Sequence, residues 1–298
     1  MHSSQAGSKT VAASRKTGGW RVKNVFHPSD FTAGSEVAFL HALKFAFLAR
    51  SRLSMLHIAT DSMEKTGQFP GVRETLERWR VIPPDSQKDA VSQLGLDVRK
   101  VVEKRSDPVR AVLAYLKRHP ADLLVLATHQ YRGHERWLKR SIAEPIARGS
   151  RQMTLFIPHG TTGFVSRENG ALTLKHILIP VAADPDPGPA IAAAMRVAET
   201  LACSDVTFTL LHVGEPSGMP EYTPRRESGW AWQQLVEPGQ VVDQVLRLAA
   251  ARRADLIVMS TNGHNGFLDA LCGSITEQVL RDAHCPLLAV PALDEEID

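Results

Sequence analysis

The chain has 298 residues, enough for one large domain or two of ordinary size, and its 43% hydrophobic and 22% charged content is that of a soluble globular protein. A net charge of +3 is too small for a duplex-binding surface, and no apolar stretch approaches the ~20 residues of a membrane span, so neither nucleic acid nor membrane is an expected partner. The three cysteines, Cys203, Cys272 and Cys285, are odd in number and lack metal-ligand spacing, which fits a reducing cytoplasm.

Residues 1–20 form a basic stretch without acids, including Lys9, Arg15 and Lys16, and are expected to be a flexible tail. They lack the ~7–15-residue apolar core of a secretory signal. A first domain is expected over 21–158. It opens with the strand "NVFHPSD" (24–30), the helix "GSEVAFLHALKFAFLAR" (34–50) and the strand "LSMLHIA" (53–59). About 38 residues then precede the third strand and include the helical run "VRETLERWR" (72–80). "SDPVRAVLAYLKRHP" begins as a capped helix should, with a polar cap and proline in the first turn. The strand "ADLLVLATHQ" (121–130), a polar loop and "MTLFIP" (153–158) complete the unit.

A linker at 159–174 carries Asn-Gly between two short β-prone runs, the pattern of a hairpin that ties two halves together. The second domain, expected over 175–294, repeats the first. "HILIPVA" (176–182), "FTLLHVG" (208–214), "ADLIVMSTNG" (254–263) and "PLLAVP" (286–291) match the four strands above. The first two pairs are about 150 residues apart and the last two 133, so the second copy is shorter between its second and third strands. There "EPSGMPEYTPRRESG" (215–229) reads as a loop replacing a helix, and "EPGQVVDQVLRLAAARRA" (237–254) as the next helical run. Continuous apolar strands alternating with helices predict two tandem α/β domains, each a doubly wound parallel sheet with ligands at the carboxyl ends of its strands. The final strands "TLFI" and "LLAV" offer edges for pairing, either within the chain as a pseudo-dimer or between chains as a homodimer.

The stretch "STNGHNGFLDALCGSITEQVL" (260–280) follows the strand "ADLIVM". Gly263 and Gly266 let backbone approach a ligand without a Cβ in the way. Gly273 and Ser274 stand where a helix begins, so free N–H groups and the positive dipole end face an anion. The same residues also suit a tight turn and an N-cap. His264 could touch phosphate or be an ordinary surface histidine. No nucleophile–base, zinc-protease or P-loop motif is present, so an enzyme is not expected.

In this order and in duplicate, "ILIPV", "LLHV", "ADLIVM", "GSITEQVL" and "HCPLLAVP" resemble the universal stress protein family in its tandem two-domain form. The resemblance implies a Rossmann-like fold of the adenine nucleotide alpha hydrolase type. It also implies ATP or another adenine nucleotide, with Mg²⁺ where the phosphates need it, as the small-molecule ligand. The family's ATP-binding branch carries an acid after strand one and a loop G-x2-G-x9-G-[ST] after strand four. Carried onto the second domain, that pattern marks Pro180, Val181 and Ala182 at the end of strand one. It marks Ser260, Gly263, His264, Gly266, Gly273, Ser274 and Ile275 along the loop. Two departures weaken the match: Ser260 replaces the first glycine, and Ala182 replaces the acid. A missing hydrogen bond to a charged group is worth ~1.5–3 kcal/mol, or roughly ten- to a hundredfold in affinity.

The first domain keeps the acid, Asp30, but Ala127, Gln130 and Arg140 occupy its three glycine positions, leaving only Gly133 and Ser141. A side chain forced into left-handed backbone costs about 1–2 kcal/mol, so this unit is not expected to bind ATP in the family's manner. The functional expectation is a stress-response regulatory protein that binds adenine nucleotide weakly in its second domain. The alternatives are an interaction protein acting through dimerisation, and a slow ATPase or self-phosphorylating protein using Ser274.

Overall fold

The central strands are short apolar runs buried on both faces, and each amphipathic run between them lays one side on the sheet. The computed structural model describes residues 22–30, 35–59, 71–128, 142–222, 229–261 and 275–291. In the first half the order is β1 (Asn24–Pro28), α1 (Glu36–Ala49), β2 (Arg52–Ala59), α2 (Val72–Arg78), α3 (Asp89–Gln93) and β3 (Asp97–Lys104). It continues with α4 (Pro108–Arg118), β4 (Leu123–Thr128), α5 (Ala143–Ser150) and β5 (Thr154–Pro158). The second half runs β6 (His176–Pro180), α6 (Gly188–Thr200), β7 (Val206–Val213), a 3-10 turn at Pro216–Gly218 and β8 (Trp230–Glu237). It ends with α7 (Val241–Ala251), β9 (Leu256–Thr261), α8 (Ile275–Asp282) and β10 (Leu287–Pro291).

The ten strands form one sheet in the order β3-β2-β1-β4-β5-β10-β9-β6-β7-β8. Strands β5 and β10 pair antiparallel, with Leu287 opposite Phe156, whereas every other neighbouring pair is parallel. The two parallel halves therefore run in opposite directions, and their carboxyl ends open at opposite ends of the sheet. Of the two pairings open to the final strands, the one within the chain is present.

Helices cover both faces, as the doubly wound expectation requires. Side chains of α1, α2 and α6 share one core with Val25, Val125 and Ile179, while those of α4, α5, α7 and α8 share the other with Phe26, Phe156 and Leu287. Each core contains residues of both halves, so the tandem units are packed as one body. Helix α4 starts as expected: Asp107 caps it by accepting from the Arg110 N–H at 3.1 Å, and Pro108 takes the first helical position. Helix α7 begins later than the helical run suggested, at Val241. The reason is local: Glu237 still belongs to β8, and Pro238-Gly239, with Gly239 at φ +123°, breaks the chain before the helix.

The recurrent Ala-Asp before β4 and β9 has a structural cause. A single oxygen of Asp122 accepts from the backbone N–H groups of Lys23 and Asn24 at 2.8 and 2.9 Å. Asp255 accepts from Lys175 and His176 at the same distances. Each carboxylate fastens the first strand of its half to the fourth by charge-assisted bonds.

The connector is a small hairpin, with Val165 bridging Leu172 antiparallel and Gly170 at φ +67° in its turn. It lies on the first half. Phe164 is fully buried, its N–H donates to His41 Nε2 at 3.0 Å, and the Trp79 indole donates to the Arg167 carbonyl at 3.2 Å. Gly163, at φ +63°, has no room for a Cβ because that atom would collide with the His41 ring. Among the described residues no helix is long and apolar enough to cross a membrane.

Candidate functional site

Strand order reverses between β6 and β9: β6 leads through α6 to β7 on one side, and β9 leads through α8 to β10 on the other. Such a switch point leaves a crevice at the carboxyl ends of the two strands, where open α/β sheets hold their ligands. Strands β6 and β9 are direct neighbours, with Ile177 opposite Leu256 and Leu178 opposite Ile257. Their ends deliver Pro180, Val181 and Ala182 from one side and Ser260 from the other.

The end of β6 is held firmly. Val181 donates its N–H to the Leu211 carbonyl at 2.8 Å, and its own carbonyl accepts from His212 Nδ1 at 3.1 Å. His212 is buried, and the 3-10 turn folds back over it so closely that a Cβ on Gly218 would lie 2.7 Å from its Nε2. The described part of the shortened connection thus covers the end of β7, because glycine permits this approach. The Ser260 hydroxyl is buried and has no hydrogen-bond partner among the described residues, a state costing about 1–3 kcal/mol. Ile275, the first residue of α8, is 43% exposed.

The first half repeats this frame between β1 and β4. His57 Nδ1 donates to the Ser29 carbonyl at 2.7 Å, as His212 does to Val181. The recurrence of these histidines thus reflects a shared tie between the second strand and the segment after the first. Asp30 lies exposed beyond β1, and Ala127 and Thr128 end β4, where the Thr128 hydroxyl is buried without a partner among the described residues. Ile142, just before α5, is 49% exposed. His27 replaces the apolar Ile179 of the second half. It is fully buried, donates to the Val125 carbonyl at 3.0 Å, and titrates below the usual histidine range because of that burial.

Gly263, His264, Gly266, Gly273 and Ser274 of the second loop lie outside the described residues, as do Gly133 and Ser141 of the first, Cys272 and the tail at 1–20. The structure therefore brings together Pro180, Val181, Ala182 and Ser260, and places Ile275 at the head of the helix that follows the loop. Sequence reading did not single out Val102 and Val236. They stand in register with His57 and His212 and are 56% and 37% exposed. Neither "VRKVVEK" nor "WQQLVE" alternates apolar with polar residues, so no local pattern marks either valine. A cavity of about 890 Å³ between α2, α3 and the first half of β3 lies away from both crevices and is lined by groups such as Glu74, Lys88 and Lys100. Neither described cysteine is a candidate nucleophile: burial raises the Cys203 thiol and pushes Cys285 up to about 12.

A model of the universal stress protein family matches residues 21–158 and 223–291, which is more than half of the chain. A universal stress protein of Methanocaldococcus jannaschii is 42% identical over 52 residues, covering 17% of this chain and 31% of that relative's length. A universal stress protein structure from Archaeoglobus fulgidus superimposes with a TM-score of 0.61 at 15% identity, covering 92% of this chain and 97% of that one. A putative universal stress protein from Pseudomonas aeruginosa gives 0.54 at 15% identity, covering 91% and 93%. Both structural likenesses extend across the two halves and establish the fold. With that fold in place and the family pattern matched in both halves, the chain belongs to the universal stress protein family.

Proposed function

We propose that the crevice between β6 and β9 binds an adenine nucleotide and that the protein acts as a nucleotide-responsive regulator rather than as an enzyme. The observation that carries this reading is the meeting, at a topological switch point, of the pinned Val181–Ala182 segment with the unpartnered Ser260 hydroxyl. The loop from Gly263 to Ser274 joins this end of β9 to α8. Its glycines and the helix start at Ile275 suit phosphate, as the family resemblance implies. Exposed Val236 offers apolar surface near the carboxyl ends for a purine ring.

Binding is expected to be weak, because Ala182 provides no carboxylate. The first crevice contributes little, because three side chains occupy its loop's glycine positions. The alternative of dimerisation through the final strands is disfavoured, since β5 and β10 are already paired with each other.

Ser260→Ala tests the role of the orphaned hydroxyl. If a ligand satisfies that hydroxyl, the variant binds ATP several-fold more weakly while the ligand-free protein becomes more stable by about 1 kcal/mol. Unchanged ATP affinity, read by titration calorimetry, contradicts a ligand contact at Ser260. ATP turnover abolished by Ser274→Ala would replace the regulatory reading with the catalytic one.

A further inference from the structure

A smaller cavity, about 230 Å³, lies in the first half at the opposite end of its strands from the crevice. It opens between the starts of β1 and β2 and the carboxyl end of α4. Its polar lining comes from Asn24, Ser54, Arg99 and His119, with Arg52 and Arg118 beside them and no carboxylate. The side chains of Asn24, Ser54 and Arg99 have no hydrogen-bond partner among the described residues. The Tyr115 hydroxyl, on a ring packed 4.7 Å from that of His119, is buried and also unpartnered. Arg52 and Arg118 are held at the rim by Asp97 at 2.6 Å and Glu103 at 3.1 Å. Arg99 and His119 carry no such carboxylate.

The duplicated half serves as an internal control. Asn24 and His176 open corresponding strands, and each gives its N–H to the equivalent aspartate. Ser54 pairs with Phe26 as Thr209 does with Leu178, Arg99 faces Ser54 as Gln233 faces Thr209, and His119 and Arg252 are the C-caps of α4 and α7. In the second half these four positions satisfy one another. His176 Nδ1 donates to the Arg252 carbonyl at 2.9 Å, its Nε2 accepts from the Thr209 hydroxyl at 2.8 Å, and Arg252 donates to Gln233 at 2.7 Å. In the first half the same four positions leave their polar groups turned on a cavity. Buried polar groups are normally paired, so the buried Ser54 and Tyr115 hydroxyls, left open beside the exposed Arg99 and His119, are the mark of a site.

We propose that this cavity binds a small oxyanion. The lining offers donors with no carboxylate among them: the Arg99 guanidinium, the Ser54 and Tyr115 hydroxyls, the Asn24 amide and the His119 imidazole, with Arg99 supplying the positive charge that no carboxylate engages. The volume lies below the ~300–1,000 Å³ of pockets for drug-sized ligands, which selects inorganic phosphate or a short carboxylate over a nucleotide. The site is separate from the β6–β9 crevice, and its existence does not depend on nucleotide binding there.

Titration calorimetry of the full chain with inorganic phosphate and, in parallel, with acetate tests the assignment. The expected result is saturable binding with a Kd of about 1 mM or tighter for at least one of them. The tighter ligand identifies the site as tetrahedral or carboxylate-selective. Arg99→Gln, a change at an exposed side chain, is expected to weaken that binding roughly ten- to a hundredfold. The double variant Asn24→His/Ser54→Thr copies the self-satisfied arrangement of the second half and is expected to abolish binding while the protein stays folded by circular dichroism. The absence of binding by either anion at about 10 mM overturns the proposal. So does phosphate binding that survives Arg99→Gln, since it must then occur elsewhere on the chain.

Discussion

His41→Leu is expected to lower stability by about 2–4 kcal/mol, a loss of roughly 5–10 °C in Tm. His41 is fully buried on α1 and joins two parts of the chain. Its Nδ1–H donates to the Val37 carbonyl at 2.7 Å, and its Nε2 accepts the Phe164 N–H of the connector at 3.0 Å. The ring meets Phe164 edge-on at 4.5 Å. Leucine fills similar space but leaves the buried Phe164 N–H without an acceptor. Only the neutral ring can make both bonds, and burial holds its pKa down to about 4 from 6.5. The unfolded chain therefore binds a proton that the folded chain refuses between these values. His41's contribution is complete above about pH 6.5 and is lost as pH falls towards 4, amounting to about 3 kcal/mol over that window. Urea midpoints at pH 7, 5.5 and 4.5 check this. The variant should show a shallower loss on acidification than wild type, with His27 accounting for part of the remainder in the same direction. Parallel slopes in the two proteins would contradict the role given to His41.

Ala182→Asp is expected to tighten ATP binding roughly ten- to a hundredfold, the worth of a hydrogen bond to a charged group. Residue 182 directly follows Val181, whose N–H and carbonyl are both engaged by β7, so a new carboxylate would be presented from fixed backbone. It would restore the acid that the family's nucleotide-binding branch carries and that the first half keeps as Asp30. Ala182→Asn separates charge from shape and should recover only a small part of the gain. An unchanged Kd for Ala182→Asp would mean that the end of β6 does not touch the nucleotide.

Much of the fold was legible in the sequence because buried parallel strands leave unmistakable apolar runs, and duplication showed each run twice. The Asn-Gly hairpin and the Asp107 cap were readable for similar local reasons. What the sequence left open were facts of long-range pairing. The strands "TLFI" and "LLAV" carry no mark of whether they meet each other or another chain. Their antiparallel contact turns two sheets into one and sends the two crevices to opposite ends. The aspartates of "ADLL" and "ADLI" carry no local sign that Asp122 and Asp255 fasten strand to strand. The oxyanion cavity was invisible because Asn24, Ser54, Arg99 and His119 come from four separate elements. At the β6–β9 crevice, the alternation of strands and helices marked the carboxyl ends where it opens, whereas the glycine loop lies outside the described residues. The unpaired state of the Ser260 hydroxyl and the cover that the short turn gives His212 depend on packing, which no local pattern encodes.

The central claim, that the second half holds an adenine nucleotide in its β6–β9 crevice, is tested most directly by equilibrium binding of labelled ATP to the full chain and to Gly273→Arg. The account predicts saturable binding to one site per chain in the wild type, and its loss when an arginine side chain enters the phosphate loop. No saturable binding at millimolar ATP, or equal binding by the variant, would contradict it.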